Sequence, residues 1–168
     1  MRRLWVFQLL NTDYPSWLYQ VKLGATTMWE RWDGWTPETG FSDVGMNSFN
    51  HYAFGSVGDY LFSIVGGISE NTSADGTHLQ LAPVPGPGLD FARAAYRSQG
   101  GEVKSEWKRI PGGIEYQFTI PPNQVAQINL GTAGQTVREI GNSKNSYPDF
   151  KKPLGSGTYR FFVPDQSK

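Results

Sequence analysis

The sequence predicts an α+β fold in which a short helical segment precedes an antiparallel β-sandwich. Up to about residue 68, apolar side chains recur every three or four positions, as they do along a helix. After residue 69, apolar and polar residues alternate in short runs that are separated by glycine pairs. We therefore expect two domains, residues 1–68 and residues 69–168, in a chain long enough to bury a core.

Three helical stretches are expected in the first domain. The longest begins at a cap on Asn47 or Ser48, runs to about Val65 and is ended by Gly66-Gly67. Its apolar residues cover most of its sides, so we expect it to be buried against the sandwich, a partner or a second copy. The other two are Leu4–Asn11 and Ser16–Leu23, the second with Pro15 at its first turn and Gly24 after its end.

The second domain is expected to consist of hairpin-connected strands. Tyr116, Phe118 and Ile120 alternate with polar residues, and Gly100-Gly101 and Gly112-Gly113 lie where hairpin turns belong. We interpret the polar stretches Ser69–Gly76 and Thr132–Pro153 as a linker and a loop. The predicted strands are His78–Val84, Phe91–Ser98, Glu102–Ile110, Ile114–Ile120, Val125–Leu130 and Thr158–Val163.

The composition argues against several classes of function. The 15 basic and 15 acidic residues balance and form no basic patch, which argues against a nucleic-acid or anionic-membrane partner. With no cysteine and only His51 and His78, neither a zinc–thiolate site nor a histidine-rich metal site is expected, and no cofactor is implied. The residues Met1–Leu10 lack the cleavage site of a signal peptide.

Carboxylates and tryptophans gather in residues 25–35, where Trp29, Trp32 and Trp35 surround Glu30. Broad aromatic faces beside ionisable groups suit a ligand with apolar ring faces and a polar rim, such as a carbohydrate. Core packing is the alternative for each tryptophan. Asp33 either supports Glu30 electrostatically or forms a turn with the glycine that follows it.

Glu30 and His51 are the candidate functional residues. Between Met28 and Trp32, the Glu30 carboxylate would be partly desolvated and suited to proton transfer. The alternative is a structural glutamate paired with Arg31 or with a backbone amide. His51, placed in the first turn of the long helix, would remain neutral and bind a sugar hydroxyl, or else bond to a carbonyl in the core.

The runs ATTMWERWDGW (25–35) and MNSFNHYAFGSVGDYLF (46–62) resemble the C-terminal part of bacterial α-L-rhamnosidases, glycoside hydrolase family 78. This resemblance implies the end of a catalytic (α/α)6 barrel followed by a C-terminal β-sandwich. It continues through Leu79–Gly88, Ser105-Glu106-Trp107, Ile120-Pro121-Pro122-Asn123 and Gly155-Ser156-Gly157-Thr158-Tyr159.

The resemblance also implies roles for individual residues. Glu30 would be the general base that activates water for an inverting attack, and His51 would contact the rhamnose in the −1 pocket. Trp29, Trp32 and Trp35 would lie near that pocket.

The general-acid glutamate of the family lies upstream of these motifs, and a barrel of six helix pairs needs about 200 residues. We therefore expect a C-terminal fragment of the enzyme that is inactive alone, with the missing barrel part or a second copy as a partner. The alternative is a non-catalytic carbohydrate-binding or structural β-sandwich module.

Overall fold

The computed structural model describes residues 9–73, 76–131, 135–141, 146–148 and 150–165. The chain forms two compact units. The first is the described part of Met1–Asp59 with Gly86–Gly88, and the second is Tyr60–Pro85 with the described part of Leu89–Lys168. The helix predicted at Leu4–Asn11 lies mostly outside the described residues. In the part of it that is described, residues 9 and 10 are helical.

In the first unit, Trp17–Lys22 forms a short α-helix, α1. The hydroxyl of Ser16 accepts a hydrogen bond from the amide of Tyr19 at 3.1 Å, which caps the helix. Gly24, with a φ of 92°, follows its last turn, as predicted. Pro15 precedes the cap rather than lying in the first turn, because Ser16 is the capping residue.

Residues 25–34 have no regular secondary structure. Trp35–Thr36 forms β1, which pairs antiparallel with β2 (Gly40–Phe41). These two strands form a short hairpin directly after the irregular segment. A 3-10 turn follows at Val44–Met46.

The long helix begins later than predicted. It consists of a 3-10 turn at Ala53–Ser56, α2 (Val57–Tyr60) and a π-helical turn at Leu61–Val65. The expected start was wrong because both candidate caps make tertiary bonds: the Asn47 side-chain amide donates to the carbonyl of Gly34 at 2.9 Å, and Ser48 bonds to Glu30. Within the described residues, no helix is long and apolar enough to cross a bilayer.

The second unit is the predicted β-sandwich, built from two sheets. A six-stranded sheet has the order β10-β9-β12-β7-β6-β5, and a four-stranded sheet has the order β11-β8-β4-β3. All neighbouring strands are antiparallel except β4 and β8. The strands are β3 (Ile68–Ser73), β4 (Gly76–Leu81), β5 (Phe91–Ser98), β6 (Gly101–Ile110), β7 (Gly113–Ile120), β8 (Ala126–Leu130), β9 (Thr136–Glu139), β10 (Ser146–Pro148), β11 (Phe150–Leu154) and β12 (Gly157–Pro164).

Two predictions about the polar stretches were wrong. Ser69–Gly76 is largely strand β3 rather than a linker, and Thr132–Pro153 contains β9, β10 and most of β11 rather than a loop. β3, β10 and β11 lie at sheet edges, and each short strand needs few apolar residues to pack. Ile68 on β3 and Phe150 on β11 are such buried anchors.

The core of the sandwich follows the alternation in the sequence. Phe118 and Phe161 are almost fully buried on neighbouring strands of the larger sheet, and Leu81 and Ile128 are buried on the smaller one. The indole N–H of Trp107 donates to the carbonyl of Val65 at 2.8 Å. This buried bond attaches the end of the π-helical turn to β6.

A pair of glycine substitutions separates steric overlap from backbone strain. Gly67 and Gly112 both have positive φ (70° and 83°), but a Cβ on Gly67 would overlap the backbone of Pro83, whereas a Cβ on Gly112 meets nothing within 4 Å. We expect Gly112→Ala to cost about 1–2 kcal/mol of unfolding free energy and Gly67→Ala about 3–5 kcal/mol. Urea unfolding followed by tryptophan fluorescence measures both. Equal losses would contradict the close approach at Gly67.

Candidate active site

Two segments that are distant in sequence lie side by side in the first unit. The amide of Glu30 donates to the carbonyl of Ser48 at 2.8 Å, and the amide of His51 donates to the carbonyl of Met28 at 2.8 Å. The Thr27 hydroxyl donates to the carbonyl of Phe49. These bonds bring Glu30 and His51 together without regular secondary structure.

The two carboxylate oxygens of Glu30 have different surroundings. Oε2 accepts a hydrogen bond from the amide of Ser48 at 2.8 Å, while Oε1 lies 3.9 Å from Nε2 of His51. The Glu30 side chain is 21% exposed, so it is largely shielded from solvent but still accessible. Arg31, the other partner considered for Glu30, instead pairs with Asp33 at 3.2 Å.

His51 lies in the loop before the helical segment, so its predicted place in the first helical turn was wrong. Its orientation comes from local contacts: Nδ1 accepts a hydrogen bond from the amide of Ala53 at 3.3 Å, and the ring stacks on Tyr52 with centroids 5.1 Å apart. With Nδ1 as an acceptor, the proton of a neutral imidazole is on Nε2. The nitrogen of this N–H lies 3.9 Å from Oε1 of Glu30.

The three tryptophans have different environments. Trp29 is only 6% exposed and packs edge-on against Phe49, with centroids 5.0 Å apart. Trp32 stacks on Phe54 at 3.7 Å, so one of its faces is covered. Trp35 is half-buried at the start of β1. Trp29 thus fits the core-packing alternative best, whereas Trp32 and Trp35 keep part of their surface exposed.

Asp33 forms an ion pair with Arg31 rather than a contact with Glu30. Its hydrogen bonds with the guanidinium of Arg31, at 3.2 and 3.3 Å, lower the pKa of the Asp33 carboxyl below its ordinary value. The amide of Gly34 bonds back to the carbonyl of Arg31 at 3.4 Å. The turn interpretation of Asp33 and Gly34 agrees with this geometry. Because Asp33 is held in its ionised form, it is poorly suited to donate a proton.

Sequence reasoning missed the supporting role of the segment 48–54. Ser48 was predicted only as a helix cap, and no role was predicted for Tyr52, which is 87% exposed and stacks on His51. Phe54 also holds Trp17, whose indole N–H donates to its carbonyl at 3.1 Å. The density of aromatic residues around His51 was the available signal. Among the described residues, no cluster of three histidine or acidic side chains could hold a metal ion.

Comparison with known protein families gives two adjacent matches. Residues 2–65 match the bacterial alpha-L-rhamnosidase 6 hairpin glycosidase domain. Residues 67–145 match the bacterial alpha-L-rhamnosidase C-terminal domain. The two matched regions together include most of the sequence and meet close to the predicted domain boundary.

Individual relatives give the same result. An alpha-L-rhamnosidase of Streptomyces avermitilis is 41% identical across 94% of this chain, and one of Formosa agariphila is 33% identical across 91%. The chain spans only 16% and 18% of these two proteins.

Solved structures also match. The crystal structure of Streptomyces avermitilis alpha-L-rhamnosidase complexed with L-rhamnose matches with a TM-score of 0.77 and 34% sequence identity. The match covers 93% of this chain and 15% of the Streptomyces chain. The crystal structure of the native alpha-L-rhamnosidase from Aspergillus terreus matches with a TM-score of 0.73 and 33% sequence identity. The match covers 92% of this chain and 16% of the Aspergillus chain.

The Arg31–Asp33 pair allows a direct test of the site geometry. Replacing Arg31 by Gln removes the guanidinium that lowers the pKa of Asp33, so this pKa should rise towards its ordinary value. The pair stabilises the native state at neutral pH, and this contribution is lost as pH falls through the lowered pKa of Asp33. Carboxyl-carbon NMR titration measures the shift. The matched control Arg160→Gln removes the partner of Glu115 in the second unit and should leave Asp33 unchanged.

Proposed function

We propose that this chain, whose residues 2–65 and 67–145 match the 6 hairpin glycosidase domain and the C-terminal domain of bacterial α-L-rhamnosidases, supplies the general-base side of an active site that hydrolyses terminal α-L-rhamnosides with inversion. The observation that carries the proposal is the asymmetric environment of Glu30: Ser48 fixes Oε2, and Oε1 is directed towards Nε2 of His51. A base needs one oriented oxygen that can accept a proton, and this arrangement provides one.

In the proposed reaction, Oε1 of Glu30 takes a proton from water as the water oxygen attacks the anomeric carbon. The bond to the leaving group breaks on the opposite face of the sugar, so the configuration inverts. The amide of Ser48 restricts rotation of the carboxylate, which keeps Oε1 in position. His51 presents its Nε2–H to the same space and is proposed to bind a rhamnose hydroxyl.

The proposed sugar contacts follow the exposure of the aromatic rings. Trp32 and Trp35 are partly exposed and are proposed to line the pocket beside His51. Trp29 is buried, so its proposed part is to hold Phe49 and the adjoining backbone behind the pocket. L-Rhamnose is the sugar we propose because it is bound in the Streptomyces avermitilis relative and fits the name of the family.

Inversion also needs a carboxylic acid that protonates the leaving oxygen. In inverting enzymes this acid lies about 6.5–9.5 Å from the base, and its pKa is raised. Asp33, near Glu30 in sequence, has a lowered pKa and does not meet this requirement. We propose that the acid comes from a part of the enzyme outside these 168 residues, which therefore act together with the rest of a barrel.

A chimera tests the role of Glu30. This chain would replace the corresponding part of the Streptomyces avermitilis enzyme, to which it is 41% identical. In an active chimera, Glu30→Gln should lower kcat about 10²–10⁴-fold, because the amide cannot accept the proton from water.

Asp33→Asn is the matched control in the same chimera, since it also converts a carboxylate to an amide in the same segment. We expect it to retain most of the activity. Equal kcat values for Glu30→Gln and the unmodified chimera would refute Glu30 as the base. NMR analysis of the first-formed anomer would show whether the product is inverted.

The 168 residues alone should not hydrolyse an aryl α-L-rhamnoside, because they lack the proposed acid. L-Rhamnose should nevertheless shift the tryptophan fluorescence, through Trp32 and Trp35, and the His51→Ala variant should weaken that response. Hydrolysis by the purified chain that is lost in Glu30→Gln would show a complete site and contradict the missing acid. The absence of both hydrolysis and binding would contradict the proposed sugar contacts.

A further inference from the structure

The outer face of the six-stranded sheet carries an ordered set of side chains. In the strand register of β5, β6, β7 and β12, two rows of directly opposed residues cross the sheet. The first row is Phe91, Lys108, Glu115 and Phe162, and the second row is Arg93, Glu106, Gln117 and Arg160. Within these four strands, Phe91 and Phe162 lie at the two ends of the first row, and Arg93 and Arg160 at the two ends of the second. The sheet continues beyond β12, where Arg138 of β9 lies opposite Phe162.

A shallow depression lies over part of these rows. The side chains that line it from the two rows are Phe91, Arg93, Glu106, Lys108, Glu115 and Gln117. Phe91 and Phe162 are three strand spacings apart, which corresponds to about 14 Å. The lining side chains themselves run from β5 to β7, two strand spacings or about 9–10 Å, which accommodates one or two pyranose rings, whereas the ring of Phe162 lies against Gly113.

The polar groups in the depression are held in place by one another. Arg160 and Lys108 approach the same oxygen of Glu115 at 2.8 and 3.5 Å, and Arg93 lies 3.7 Å from Glu106. The guanidinium of Arg160 lowers the pKa of Glu115, so this carboxylate is ionised at neutral pH. Ion pairs at an exposed surface contribute little to stability, about 0–1 kcal/mol each. Their effect here is to fix donors and acceptors in a defined array.

Phe91 supplies the apolar part of the surface. Its side chain is 62% exposed, and the guanidinium carbon of Arg93 lies 5.8 Å from its ring centroid. An exposed flat ring beside fixed carboxylate, amide and guanidinium groups suits a ligand with an apolar C–H face and a rim of hydroxyls. The rows hold three positive and two negative side chains, which pair with one another and nearly cancel, and this favours a neutral ligand over an anion or a cation.

We propose that this face of the sandwich is a second carbohydrate-binding site, which takes a neutral saccharide of one or two rings. A sugar face packs on Phe91, and its hydroxyls bond to Glu106, Glu115 and Gln117. The site belongs to the second unit and uses none of the residues assigned to hydrolysis. It would bind a part of the glycan that does not contain the glycosidic bond to be cleaved.

NMR titration of the whole 168-residue chain tests the site directly. The probes are L-rhamnose, D-glucose and a rhamnose-terminated disaccharide, each added to protein in which aromatic and side-chain amide signals are labelled. Saccharide binding should shift the signals of Phe91 and Gln117. Phe91→Ala should weaken this binding at least about tenfold, through loss of the stacking surface.

Three variants make the result specific. Val125→Ala truncates an apolar side chain that is also exposed (60%) but lies outside both rows, and it should bind as the unmodified chain does. The double variant Glu30→Gln/His51→Ala should leave the shifts of Phe91 and Gln117 intact. A failure of the hydrolysis proposal can therefore be distinguished from a failure of this one. Phe91→Leu keeps an apolar side chain but lacks the flat ring, and it should also bind weakly.

The backbone NMR spectrum of each variant reports whether its fold is retained. The proposal is overturned if no saccharide shifts Phe91 and Gln117, or if Phe91→Ala binds as tightly as Val125→Ala. Shifts confined to Trp32, Trp35 and His51 would also overturn it, because they would assign all sugar binding to the first unit.

Discussion

The reciprocal contact between Glu30 and Ser48 is the interaction on which the candidate active site depends. The Glu30 amide donates to the Ser48 carbonyl, and the Ser48 amide donates to the Glu30 carboxylate, both at 2.8 Å. A charge-assisted bond of this kind is stronger than one between neutral groups. It orients a carboxylate that would otherwise rotate freely on an irregular loop. The neighbouring bond from His51 to Met28 then brings the imidazole to the same place.

The aromatic residues around this contact act mainly as its support. Trp29 packs edge-on against Phe49, and Trp32 stacks on Phe54. These ring contacts stabilise the pairing of the two segments. A site built on loops needs such support, because no helix or strand determines where its side chains point. The high tryptophan content of the first unit therefore has a structural explanation as well as a proposed role in sugar binding.

In the second unit, the alternation of buried and exposed residues along the strands determines which side chains form each face of the six-stranded sheet. Side chains such as Phe118 and Phe161 fill the core, and the residues between them face outward. The strand register then places outward residues of four strands in straight rows. The inward face provides the stability, so the outward face can carry a specific arrangement of charges and an exposed Phe91 at little cost.

How much could be predicted depended on how strong each local pattern was. The strands β5, β6, β7 and β12 were predicted to within one residue at each end, because glycines mark their turns and, in β6, β7 and β12, buried residues alternate with exposed ones. The strands β3, β9, β10 and β11 were missed. Three of them, β3, β10 and β11, lie at sheet edges, where a short strand can be polar over most of its length. The start of the long helix was wrong because Asn47 and Ser48, both good caps, bond to residues 34 and 30 instead.

The sequence by itself determined the α+β class, the central hairpins, the resemblance to α-L-rhamnosidases and the two residues, Glu30 and His51, worth testing. Only the tertiary structure decided that Oε2 of Glu30 is bound by Ser48, that Arg31 belongs to Asp33, and that His51 lies outside the helix. The reason is physical. Periodicity and turn chemistry act between near neighbours in the chain, whereas the partners of a loop carboxylate are chosen among residues that meet only after folding.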